Sequence, residues 1–242
     1  GSAVGLGNIW GFPTQVASNG GAAFVLVYVL LAFVLAYPVL MAELIIGRAT
    51  RANMVDALGK ISNSNLGRAT GVWGFVTVSM ILAFYAIVAG WMISYFFESF
   101  TQIIGWDSAS QWLTGSSMLR SLLFCGVFIA LTASIVVGGV SNGIERWSVR
   151  LMPTLILIIL LLIGYVATLD GALAGWKAYL VPDFSAIWDA GLLISAMGQA
   201  FFSMSLGVGT MLVYGSYVSK NENLPVLGAS VALVDIGVAI LA

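Results

Sequence analysis

Five stretches of this 242-residue chain contain no Asp, Glu, Lys or Arg: residues 1–42, 69–97, 121–144, 151–169 and 190–219. A helix rises 1.5 Å per residue, so about 20 apolar residues cross the hydrocarbon core of a bilayer. Every stretch is long enough for one crossing. Only 8% of the residues are charged, against roughly 25% in soluble domains, so the chain could not cover a water-facing surface. A backbone in lipid must satisfy its own hydrogen bonds, which makes helices the default. The expected fold is all-α, a polytopic transmembrane helical bundle forming one domain over 1–242.

The same composition excludes most other chemistry. Nine Lys plus Arg against ten Asp plus Glu leave no basic face for nucleic acid. Histidine is absent and Cys125 stands alone in an apolar run, so no disulfide, Cys/His metal site or Cys/His nucleophile can be assembled. With only scattered carboxylates, an enzyme is the weakest reading. The chain opens on Gly1 and stops at Ala242 within an apolar stretch, so a fragment of a longer protein is expected.

The turn cluster Ser18-Asn19-Gly20-Gly21 divides the uncharged opening into a first helix ending near Ala17 and a second over 22–47. Further spans are expected near 72–99, 119–138, 150–169 and 189–218, with a seventh starting after Pro225, which suits a first helical turn. The connections after spans two, four and six carry Arg48, Arg51, Lys60, Arg68, Arg146, Arg150 and Lys220. The opposite side has Arg120 and Lys177. By the positive-inside rule the larger group is cytoplasmic, with the N-terminus on that side of the inner membrane.

Two spans carry a G-x-G near mid-membrane: Gly5-Leu6-Gly7 beside Asn8, and Gly207-Val208-Gly209 after Ser203 and Ser205. Each glycine costs roughly 1 kcal/mol in a helix interior, so the pair points to unwound segments, tolerated at that depth only where freed backbone lines a cavity. Close packing through small residues is the alternative for either motif alone. Paired interruptions in corresponding halves point to a transport site. Asp235 lies ten residues beyond Pro225, about 15 Å deep, where a charge needs a partner or a proton. Asn8 and Ser203 offer oxygen donors for a hard cation. Glu43 either anchors the backbone of a broken helix or pairs with Arg48. Tyr85 has a hydroxyl in an uncharged span.

Ala3-Val4-Gly5-Leu6-Gly7-Asn8-Ile9-Trp10-Gly11-Phe12-Pro13, followed by Ser18-Asn19-Gly20-Gly21-Ala22-Ala23-Phe24, resembles the first-helix signature of the neurotransmitter:sodium symporter family, in its bacterial amino-acid branch. Glu43 to Arg48 and Gly198 to Gly209 resemble its second and sixth helices. The resemblance implies a leucine-transporter-like inverted-repeat fold, five plus five helices, of which this chain holds the first repeat (about 1–170) and the start of the second (about 189–242). It implies a first sodium site from the Ala3 carbonyl, Asn8, Ser203 and Asp235, and a second using the Gly1 and Val4 carbonyls. The substrate carboxylate would meet the Leu6 and Gly7 amides and Tyr85. Its amino group would meet carbonyls of Ala3, Phe202 and Ser203 and the Ser205 hydroxyl. Ile81, Phe202 and Val208 would line the side-chain pocket, while Glu43, Gly5, Gly207 and Gly209 would have structural or gating roles.

Gly5 stands where monoamine transporters of the family carry an aspartate, which favours an amino-acid substrate bringing its own carboxylate. Gly11 replaces the family's gate arginine. Tyr28, Gln199 and Ser203 match part of the family's chloride site, but Asp235 stands where an asparagine is usual, and its fixed charge would make chloride unnecessary. The implied function is sodium-coupled symport of a neutral, apolar amino acid across the bilayer. Proton coupling through Asp235 and a non-transporting membrane scaffold are the alternatives.

Overall fold

Two prolines shape the first two spans. A proline inside a helix lacks an N–H and its ring crowds the carbonyl four residues back. Ahead of both Pro13 and Pro38 the helix widens into a π-turn: the Phe12 amide donates to the Gly7 carbonyl, and the Tyr37 amide to that of Ala32. The computed structural model describes residues 3–242, the Ala186 side chain excepted. Its helices are α1 Phe12–Ser18, α2 Ala22–Leu31, α3 Tyr37–Thr50, α4 Met54–Ser62, α5 Asn65–Ile104, α6 Asp107–Thr114, α7 Met118–Val137, α8 Arg146–Val166, α9 Ala172–Leu180, α10 Ala190–Ser203, α11 Thr210–Tyr217 and α12 Leu224–Leu241.

Five segments of the described residues are long and apolar enough to cross a membrane: Ala22–Thr50, Asn65–Ile104, Met118–Val137, Val140–Val166 and Leu224–Leu241. The third span runs beyond its expected 72–99 at both ends, because α5 continues as helix into its polar connections. The fifth starts earlier than expected, since Arg146 and Arg150 are already helical. Polar caps set other starts: the side chains of Asn53, Asp189 and Asn223 accept from the amides of Asp56, Leu192 and Val226, satisfying donors that a first turn leaves free.

The backbone divides into two compact units, residues 1–75 with 151–242, and residues 76–150. The first unit has a core in which the Phe12 ring lies 4.7 Å from that of Tyr28 and 6.0 Å from that of Phe24, joined by Leu40, Met204, Met211 and Leu224. Lipid tails are as apolar as these side chains, so close contact and hydrogen bonds, rather than escape from water, hold helices together. The α3–α11 crossing shows this: a Cβ on Gly47 would stand 1.9 Å from the Leu212 carbonyl oxygen, and one on Gly215 2.7 Å from that of Leu44. In the second unit, a Cβ on Gly90 would stand 2.8 Å from the Cys125 amide nitrogen. There the buried Arg120 and Ser94 both donate to the Leu113 carbonyl, at 2.5 and 2.7 Å, so the negative end of α6 answers the guanidinium charge.

Candidate functional site

The sixth span is two helices. After Ser203 the chain leaves α10, passes through residues 204–209 as turns, and re-enters helix at Thr210. Three residues of this passage have positive φ: Ser205 at 55°, Gly207 at 80° and Gly209 at 76°. The two glycines adopt that region without penalty; for Ser205 it costs about 1–2 kcal/mol. The strain persists because the segment is tied down from outside. The Gly207 amide donates to Glu43 Oε1 at 2.7 Å, and the Leu212 amide, in the first turn of α11, donates to Oε2 at 3.3 Å. Glu43 thus holds the broken backbone. Arg48, the other partner open to Glu43 from the sequence, donates to the Glu222 carbonyl at 2.9 Å.

In the first span, residues 3–5 are not helical and the chain enters helix at Leu6. The Gly5 amide donates to Asn8 Oδ1 at 3.1 Å. The Asn8 amide group donates to Ser203 Oγ at 3.0 Å, to Asp235 Oδ1 at 2.8 Å and to the Asp235 carbonyl at 3.1 Å. Ser203 Oγ donates to Asp235 Oδ2 at 2.8 Å. Asn8 and Asp235 are fully buried and Ser203 nearly so. Both oxygens of the Asp235 carboxylate are therefore met by neutral donors. The buried Tyr28 hydroxyl lies beside Ser203 and Asp235. Gln199 Nε2 donates to the Gly7 carbonyl at 2.9 Å, and a Cβ on Gly7 would lie 3.2 Å from the Phe202 ring.

The structure thus brings Asn8, Ser203 and Asp235 together from three elements, with Gly5, Gly7 and Phe202 adjoining through contacts of their own. Ala3 is buried, while Val4, Leu6, Ser205 and Val208 are half-buried. Ile81 and Tyr85 lie one turn apart on α5 in the second unit, the Tyr85 ring 6.1 Å from that of Phe84. Gly1 lies outside the described residues. The Gln199–Gly7 bond and the Leu212 amide were not anticipated as such; the Gln199 signal was its polarity in an otherwise apolar turn.

One buried carboxylate among neutral oxygens suits a hard monovalent cation. Among the described residues no group of three or more His, Cys, Asp or Glu could hold a transition metal.

The family model for the sodium:neurotransmitter symporter family matches residues 1–122 and 115–242. An uncharacterized sodium-dependent transporter of Bacillus subtilis is 39% identical over 247 residues, covering 100% of this chain and 54% of its own length. A GABA transporter of Rattus norvegicus, described as sodium- and chloride-dependent, is 28% identical, covering 92% of this chain and 44% of its own. The crystal structure of MhsT in complex with L-phenylalanine is similar at a TM-score of 0.86 and 37% identity, over 99% of this chain and 56% of that one. The chain spans about half the length of the curated relatives it matches. Its fold is the all-helical transporter fold of that structural neighbour, and it is a multi-pass membrane chain of a transporter family rather than an enzyme. The chain belongs to the sodium:neurotransmitter symporter family.

Proposed function

We propose that the full-length protein couples sodium entry to uptake of a neutral, apolar amino acid. The carrying observation is the buried cluster of Asn8, Ser203 and Asp235, where the start of the first span's helix meets the break in the sixth. A buried carboxylate costs about 2.5 kcal/mol or more at mid-membrane, and a sodium ion held by Asp235, Ser203 Oγ, the Asn8 side-chain Oδ1 and the Ala3 carbonyl offsets that cost. The Val4 carbonyl contributes to a second sodium. The substrate carboxylate meets the Leu6 and Gly7 amides, its amino group meets Phe202 and Ser203 carbonyls and the Ser205 hydroxyl, and Phe202 with Val208 lines the side-chain pocket. The transporter solved with L-phenylalanine supports an amino-acid substrate. Seven of nine basic residues on one side support a cytoplasmic N-terminus. Asp235 replaces an anion, so chloride is not required.

Equilibrium binding of labelled amino acids to the full-length protein, with sodium or potassium as the sole cation, tests this reading. Sodium-dependent binding of an apolar amino acid is expected; none by any of the panel defeats it. The buried position of Asp235 also admits proton coupling, which predicts uptake driven by a pH gradient without sodium.

A further inference from the structure

Met54 occupies space that two glycines leave open. The Asn53 cap accepts from Asp56 and starts α4 at Met54. A Cβ on Gly209 would stand 2.1 Å from Met54 Sδ, and a Cβ on Gly74 would stand 2.3 Å from its Cε. The thioether therefore fills the slot between α5 and the left-handed residue that opens α11, with the Val208 carbonyl 3.7 Å from the position of a Gly74 Cβ. Gly209 is buried, whereas Met54 is half-buried on a short helix and has an unbranched side chain that can leave.

We propose that Met54 is a positioning residue for the transport cycle: a removable wedge that holds residues 204–209 in the substrate-binding conformation and leaves the slot when the site opens towards the α4 side. This rests on the symport reading above. With Met54 seated, Gly209 cannot rotate towards α5, so Val208 and Ser205 keep their orientation. With it withdrawn, the break is free to relax.

The test follows oxidation of Met54 by dilute hydrogen peroxide in the full-length protein, read by peptide mass spectrometry. Met118, 79% exposed, serves as reference. Oxidation of Met54 about fivefold slower in sodium plus a bound amino acid than in potassium is expected, with Met118 unchanged. Equal Met54 rates in a protein that does bind overturn the wedge alone. Absence of sodium-dependent binding in the unmutated protein defeats the symport reading instead. Variants give a second readout. Met54→Ala and Gly74→Ala each weaken sodium-dependent binding by about fivefold or more, a loss of about 1 kcal/mol, whereas Met54→Leu and the double variant Gly74→Ala/Met54→Ala regain it. Affinity within about twofold of the unmutated protein in Met54→Ala overturns the proposal.

Discussion

Replacing Glu43 by Gln asks whether one carboxylate holds the break in the sixth span. The Gly207 amide donates to Glu43 at 2.7 Å and the Leu212 amide at 3.3 Å. A charge-assisted bond of the first length contributes about 1.5–3 kcal/mol. The longer one contributes about 0.5 kcal/mol, and a negative charge at the first turn of α11 adds about 0.3–1 kcal/mol. Glutamine keeps one acceptor oxygen but sets an NH2 against the other backbone N–H, so the expected net loss is about 1–3 kcal/mol. If that loss falls on the substrate-binding conformation, the apparent amino-acid affinity drops by about 5- to 150-fold. The assay is equilibrium binding of the labelled amino acid to the full-length protein in saturating sodium. Arg48→Ala is the control, because Arg48 donates to Glu222 instead, and its affinity should change by less than about twofold. An affinity within about twofold of the unmutated protein for Glu43→Gln refutes the anchoring argument.

Asp235→Asn tests the proposal that the Asp235 charge stands in for an anion: uptake by the full-length protein is expected to be abolished or to become chloride-dependent, and strict chloride dependence of the unmutated protein refutes the idea. Gly47→Ala drives a Cβ to 1.9 Å from the Leu212 carbonyl oxygen, an overpacking cost of about 1–3 kcal/mol, so the melting temperature of the detergent-solubilised full-length protein should fall by about 1–4 °C; an unchanged value shows that α3 and α11 are not in contact there. Gln199→Leu removes one of the two donors to the buried Gly7 carbonyl, which keeps the Phe12 amide, at a cost of about 0.5–1.5 kcal/mol, and sodium-dependent binding should weaken by about 2- to 10-fold; full affinity shows that the bond is dispensable.

The spans were legible in the sequence because lipid imposes a length and forbids charge, so charge-free runs marked α5, α7 and α8 directly, while Pro225 marked the start of α12. The break in the sixth span was legible because Gly207 and Gly209 sit where no helix needs glycine. Asp235 was legible from depth alone. What the sequence could not carry were contacts between elements far apart along it. Gly47 and Gly215 read as ordinary small residues in apolar runs, and only the crossing of α3 with α11 gives them a reason. Met54 read as one apolar residue at the start of a connection, since nothing local says that Gly74 and Gly209 lie against it. Glu43 had two open partners in sequence, Arg48 on its own helix and an unwound backbone elsewhere, and the choice depended on which elements pack beside α3. The π-turns before Pro13 and Pro38 have a local cause, a proline that widens the turn ahead of it, but apolar run length, from which the spans were read, does not register it.

The two ends of the break in the sixth span have opposite electrostatic needs, and the chain answers them with different residues. The C-terminal end of α10 presents carbonyl groups and hence partial negative charge, and Asp235 adds a full one beside Ser203, so a cation is favoured there. The N-terminal end of α11 presents amides and partial positive charge, which would ordinarily attract an anion. That end is taken: the Leu212 amide and the Gly207 amide just ahead of it both face Glu43. Within the proposed function, a substrate carboxylate placed there would meet a carboxylate already in position, at a repulsion of about 4 kcal/mol for two charges about 4 Å apart near a protein surface. The amides left to receive it are those of Leu6 and Gly7, at the start of the first span's helical segment. Glu43 therefore does more than hold a strained loop. On the proposed function, by filling one of two helix N-termini it would direct the substrate carboxylate to the other, next to Asn8, where a sodium ion and the carboxylate can share a boundary.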